Sequence, residues 1–235
     1  MEHQINLDEI DVDGAVRDAA DAVSGDTRLA FLKKAGVAGG AVVSGGAILS
    51  ALAPSAFGAV QHGRPPASFG KGDVGVLNYA LTLEYLEAAF YNGATEARLP
   101  LDAQAAAFLK RVTADENAHV AFLKKSLGKK AAKEPKFDFK GANTNAEMFM
   151  KTAQVLENTG VHAYSGQALN IKTPAYVKAA VSILTVEARH ASVIGLLNEG
   201  SAPTGMEIAP NGPFDVPFTA AKVLAAVKGT GFITG

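Results

Sequence analysis

The sequence predicts an all-α protein: a four-helix bundle made of two antiparallel helix hairpins joined by one long crossover, with a short C-terminal helix. Three observations predict it. Between residues 70 and 200, four segments of about 25 residues place apolar side chains at intervals of three and four, the spacing of a buried helical stripe. The first and second segments are separated by only a handful of residues, as are the third and fourth, so each pair folds back on itself. Between the second and third lies GKKAAKEPKFDFKGAN, about 16 residues with Pro135 and no helical pattern. Extended at roughly 3.3 Å per residue it spans about 50 Å, more than the roughly 37 Å of a 25-residue helix, so it can run from one end of the bundle to the other.

Each element has its own start and stop signals. The first helix opens at Asp73 as its cap and runs DVGVLNYALTLEYLEAAFYNGATEA to the break at Leu99-Pro100. The second is capped by Asp102 and ends at Gly128. The third starts at Thr144 or Asn145 and runs through NAEMFMKTAQVLENTGVHAYSGQAL. The fourth has Thr173 as cap and Pro174 in its first turn, and it closes on Gly200. The last 35 residues are rich in Pro and Gly except for a short helix capped by Thr219, and Phe214, Val216 and Phe218 are expected to pack this tail along the bundle.

Residues 1 to 60 read differently from the rest. Eight acidic residues against the single Arg17 make the first 26 polar and loosely structured. TRLAFLKK, Thr27 to Lys34, then precedes an uncharged run from Ala35 to Ala53 that ends at Pro54 beside SAFGA. A positive flank before an apolar run is the layout of a targeting segment, and richness in Gly and Ala favours a cleavable export signal over a permanent anchor. The string resembles a twin-arginine export signal, with Thr27, Arg28, Phe31, Leu32 and Lys33 in register and Leu29 where the second arginine belongs. The expectation is a periplasmic or extracellular protein delivered by export machinery; the alternatives are a membrane anchor, with Gly36 and Gly40 packing closely, or a cytoplasmic protein.

Composition narrows the chemistry. Lys and Arg total 22 against 23 Asp and Glu, so there is no basic surplus for a nucleic-acid backbone. With no cysteine, thiolate metal sites, iron–sulfur clusters and cysteine nucleophiles are excluded, and any metal is held by His and carboxylate. Each of the four helices carries a glutamate within an apolar stretch, in the order Glu84; Glu116 with His119; Glu157; Glu187 with His190. They lie about 11, 14, 12 and 13 residues from the helix starts, hence within roughly one turn of a common level. Residues three apart share a helix face, so each Glu-x-x-His can bind one ion. With 12 glutamates in 235 residues, a given histidine has roughly a 5% chance of a glutamate three residues before it, so two such pairs among five histidines already exceed chance. Four buried carboxylates repel one another, and two divalent cations cancel that charge. Carboxylate oxygen with imidazole nitrogen suits iron, manganese or zinc, and intrinsic affinity alone does not choose among them.

Other residues near this level carry weaker signals. Glu87, one turn beyond Glu84, reads either as an extra ligand or as a group supporting the ligands from outside. Tyr91 and Tyr164 each follow a ligand glutamate by seven residues and face the same way; they hydrogen-bond the ligands, sit near enough to be oxidised, or are plain buried tyrosines. His162 points off the Glu157 face and is not expected to be a ligand, and His3 and His62 carry no signal.

The strings LTLEYLEAAFY, DENAHVAFL, VLENTGVHAY and VEARHASV resemble the four metal-helix motifs of ferritin-like di-metal carboxylate proteins, in particular the bacterial family related to plant desiccation-induced proteins. The resemblance covers residues 70 to 200 and extends to the FDVPFT tail. It implies that Glu116 and Glu187 bridge two metals, that Glu84 and Glu157 are terminal ligands, and that His119 and His190 complete the two sites. It also implies metal-centred redox chemistry with oxygen or peroxide, of the ferroxidase-like or peroxide-consuming kind, in a stress-protective protein that is a candidate homo-oligomer. The alternative is an exported stress- or desiccation-associated structural or binding protein whose metals are purely structural or absent.

Overall fold

The computed structural model describes residues 63–200, 208–210 and 212–234. The expectations for the acidic opening, the apolar Ala35–Ala53 run and the export signal lie outside the described residues. Four long helices form the body: α1 (Gly72–Glu96), α2 (Ala103–Leu127), α3 (Ala146–Gln167) and α4 (Pro174–Glu199), followed by the short α5 (Ala220–Thr230). The closest packing is of α1 on α2 and of α3 on α4, the two hairpins expected from the short connections.

Three of the predicted caps are closed by their side chains, Thr173 takes its N-cap position without a side-chain bond, and Asp73 is not the cap of α1. Asp102 accepts the Ala105 N–H at 2.8 Å, Asn145 the Met148 N–H at 2.9 Å, and Thr219 the Lys222 N–H at 3.2 Å. Asp73 does not cap α1, which begins at Gly72 behind an extended Lys71. Its carboxylate accepts the backbone N–H groups of Lys172 and Thr173 instead, each at 2.9 Å. It thus satisfies donors at the start of α4, whose N-cap Thr173 makes no side-chain cap bond of its own. A carboxylate in a first helical turn is favoured by the helix dipole, and a second helix start nearby makes bridging the two better still.

Helix α1 is apolar almost all round and is buried almost all round, because α2, α3 and the crossover enclose it. Phe90 stacks on Phe149 of α3 with ring centroids 5.5 Å apart and meets Phe139 of the crossover edge-on at 5.3 Å. The crossover buries Phe139 and Ala142 and is fastened by hydrogen bonds as well. Buried Asn78 donates to the carbonyls of Phe69 and Lys130 and accepts from Ala132 N–H, leaving its amide well satisfied. Further on, Phe137 bridges antiparallel to Ile233, with Asp138 N–H donating to Phe232 O and Thr234 N–H to Lys136 O.

Packing of the tail is narrower than the sequence suggested. Phe218 stacks on His162 at 4.0 Å and its N–H donates to the His162 carbonyl, whereas Phe214 and Val216 stand half exposed. Residues 212–216 are exposed as a run, and the tail's side chains are covered only from residue 217 onward. Gly166 makes this approach possible, since a Cβ there would collide with the Phe218 backbone.

Candidate metal centre

Glu84, Glu116, Glu157 and Glu187, one from each long helix, are all 0% exposed, and His119 and His190 lie buried beside them. Their levels along the helices, read from sequence spacing, bring them to a single place. His119 Nδ1 lies 3.2 Å from Glu84 Oε2 and 3.3 Å from both Glu116 Oε2 and Glu187 Oε1. His190 Nδ1 lies 3.2 Å from Glu116 Oε1 and from Glu157 Oε2. Two groups of donor atoms result, each spanning no more than 4.8 Å: Glu84, Glu116, His119 and Glu187; and Glu116, Glu157, Glu187 and His190. Glu116 and Glu187 belong to both.

Several of these atoms have no hydrogen-bond partner: Glu84 Oε2, Glu116 Oε1, Glu157 Oε2, both Glu187 oxygens and His190 Nδ1. Buried polar atoms left without partners are costly, and here they converge on two common points. A divalent cation at each point would satisfy them, and the oxygen and imidazole donor sets fit such ions.

The remaining carboxylate oxygens are tied back. Tyr91 of α1 donates to Glu157 Oε1 of α3, and Tyr164 of α3 donates to Glu84 Oε1 of α1. Each tyrosine, seven residues beyond its own helix's glutamate, reaches across to the other helix's glutamate. One oxygen of Glu84 and one of Glu157 are thereby fixed, and the other is turned inward.

Two residues break the symmetry of the hairpins. Glu87 is also buried, but it belongs to neither donor group. Its counterpart on α3, three residues after Glu157, is Gly160. A Cβ there would lie 2.5 Å from Glu187 Oε2 and 3.4 Å from Glu87 Oε1, so the absent side chain leaves room for both carboxylates. Asp115 is the second. Its Oδ2 lies 3.1 Å from His190 Nε2, and its carboxylate is also gripped by Arg111 one turn earlier. The sequence reading missed Asp115; the signal was its place directly before the Glu-x-x-His glutamate, one step round α2 toward α4. The corresponding residue before Glu187 is Val186, which offers His119 no such partner.

Electrostatics follow from the crowding. Burial, then the neighbouring carboxylates, pushes Glu87 and Glu187 well above the usual carboxylate range. Glu116 is pushed up to about 7, again by burial first. Burial disfavours charge on both histidines, but the close glutamate carboxylates outweigh it, raising His119 and bringing His190 up to about 11. Asp115 moves the other way, because Arg111 and His190 overcome its partial burial and lower it.

His162 stands apart, its Nδ1 donating to the Val216 carbonyl at 2.6 Å. Two spaces approach the centre. A narrow apolar cavity of about 20 Å³ reaches Leu83 and Tyr164, and an open groove between α2 and α4 reaches Asp115 and His190. The model of a family described as the ferritin-like domain matches residues 72–199, the first residue of α1 to the last of α4. No curated protein matches the chain.

Proposed function

Because this chain belongs to the ferritin-like domain family, we propose that its Glu/His cluster is a dinuclear metal centre with ferroxidase-like or peroxide-consuming activity. Glu116 and Glu187 would be shared by the two ions, Glu84 and Glu157 would be terminal, and His119 and His190 would complete one ion each. The observation that carries this reading is the convergence of unpartnered buried oxygens and His190 Nδ1 on two points. Left without cations, five buried carboxylates in one cluster would oppose folding. That argues against the reading in which metals are absent.

Two divalent ions, iron first and manganese or zinc as alternatives, would supply the electrons for reducing oxygen or peroxide or, in the case of zinc, only hold the bundle together. The protein's own contributions can be assigned atom by atom. The Tyr91 and Tyr164 hydroxyls fix the terminal glutamates, so the inward oxygen of each is presented without a search through rotamers. Asp115 holds His190 through Nε2 and leaves Nδ1 facing inward. The four ligand glutamates are fully buried, which keeps bulk water from the carboxylates.

In this proposal the N-terminal run directs export and the protein acts in stress protection outside the cytoplasm. A soluble product beginning near Val60 is the expected mature form, and a full-length product that fractionates with membranes would overturn export. The central test is metal content by elemental mass spectrometry on the wild type and on a Glu116→Ala/Glu187→Ala variant, followed by aerobic Fe(II) oxidation by the metal-free protein. The reading expects about two metals per chain, lost in the variant, and fast oxidation by the wild type only. Stoichiometric metal without turnover would move the assignment to a structural centre. No metal with an intact fold would overturn it.

A further inference from the structure

The open groove between α2 and α4 offers about 770 Å³, a volume in the usual range for small-molecule sites and far larger than the cavity beside Tyr164. Its wall residues recur along both helices at helical spacing, from Gln104 to Asp115 on α2 and from Val186 to Leu197 on α4. At 1.5 Å per residue that makes a trough about 16 Å long. The walls are apolar, formed mainly by Phe108, Val112, Val186, Val193, Leu196 and Leu197. Val193 is 44% exposed even though it sits on a helix of high mean hydropathy, so this face presents oily surface to solvent.

The polar groups in the trough are few and mainly basic. Arg111 and Asp115 neutralise each other. Arg189, exposed beside His190, makes no ion pair or hydrogen bond among the described residues. An apolar trough of this length with one uncommitted guanidinium selects for an anion attached to a hydrocarbon. Guanidinium presents a planar fork of donors that matches the two oxygens of a carboxylate.

We propose that the α2–α4 groove binds an amphipathic organic acid, its hydrocarbon body along the apolar walls and its carboxylate on Arg189 at the outer edge of His190. The site goes beyond the metal reading and does not depend on it, because every residue it uses lies outside the Glu/His donor groups apart from the His190 edge. It places an organic acid against the Asp115–His190 contact, so occupancy is felt at the candidate metal centre.

The test is calorimetric titration of the full chain, metal-free, with decanoate below its micellar concentration. Decanol and decyltrimethylammonium serve as chain-matched neutral and cationic controls. The expected result is saturable decanoate binding, weakened roughly tenfold or more by Arg189→Gln, as loss of one charge-assisted contact predicts. Val193→Glu, which puts a negative charge in the trough, is expected to remove binding. Both positions are exposed, and circular dichroism checks that the variants remain folded. Absence of saturable decanoate binding, equal binding of decanol, or unchanged affinity in Arg189→Gln would each overturn the proposal. Since no metal or turnover enters the measurement, its failure is distinct from failure of the metal reading.

Discussion

Tyr91 of α1 donates its hydroxyl hydrogen to Glu157 of α3, while Tyr164 of α3 returns the same contact to Glu84 of α1. The two helices therefore exchange tyrosines across the centre, tying the two hairpins together at the carboxylates. Both rings are buried, and a hydrogen bond to a charged group is worth about 1.5–3 kcal/mol. Tyr91→Phe and Tyr164→Phe should each destabilise the protein by about that much and weaken metal loading. Chemical denaturation with parallel metal titration checks this. If both variants load metal as well as the wild type, the tyrosines act only in packing.

Asp115 distinguishes the two halves of the centre, since it orients His190 while the equivalent Val186 does nothing comparable for His119. Removing a carboxylate behind a metal-binding histidine costs about 10–100-fold in affinity. Asp115→Ala should therefore weaken one of the two binding steps by roughly that factor and leave the other close to its wild-type value. Competition titration with a chelator resolves the steps. Equal weakening of both would show that the halves are coupled more tightly than their separate partners imply.

Much of this centre was legible in the sequence, for a physical reason. A charged residue in an apolar helical stretch needs a partner, and four such residues at one level can only meet one another. Spacing of three then paired the histidines with Glu116 and Glu187. What was not legible depended on the angles between helices. Asp115 reads as half of a surface pair with Arg111 until α4 brings His190 against it. Asp73 reads as a local cap until the start of α4 arrives with two free N–H groups. The seven-residue offset predicted the face of Tyr91 and Tyr164, but not that each would cross to the opposite glutamate. Whether a groove opens between α2 and α4 is set by how far the hairpins splay, which no local pattern records.

Gly160 tests how tightly the carboxylates are packed. A methyl group there would sit 2.5 Å from Glu187 Oε2, closer than any real contact, so Glu187 must turn away or α3 must shift. Gly160→Ala improves helix propensity by about 1 kcal/mol, which opposes the steric penalty in the metal-free protein. The expected outcome is little change in metal-free stability and a marked loss of metal loading, read by denaturation and elemental analysis respectively. Full metal loading in the variant would show that Glu187 adjusts freely and that the glycine serves helix packing alone.

The crowding of carboxylates also fixes the sign of the pH response. Glu116 titrates at about 7 in the fold against an ordinary value of 4.5, because burial and then the charge of Glu84 favour its protonated form; Glu87 and Glu187 move in the same direction. Between those values the metal-free fold holds protons that the unfolded chain has released, so its stability is greatest below the unfolded value and falls as pH rises through the folded one. The histidines add to this slope, since His190 at about 11 and the raised His119 keep protons that unfolded imidazoles lose near 6.5. Asp115, lowered from 3.8, acts only at more acidic pH. Metal ions would displace these protons and remove the slope. The metal-free protein should therefore lose thermal stability between about pH 5 and pH 8 while the loaded protein does not, and metal affinity should rise across the same window with release of protons. Melting temperatures of both forms, with proton release followed in weak buffer, provide the check. Parallel profiles for the two forms would mean that the cluster keeps its protons when metal is added, and hence that the metal binds elsewhere.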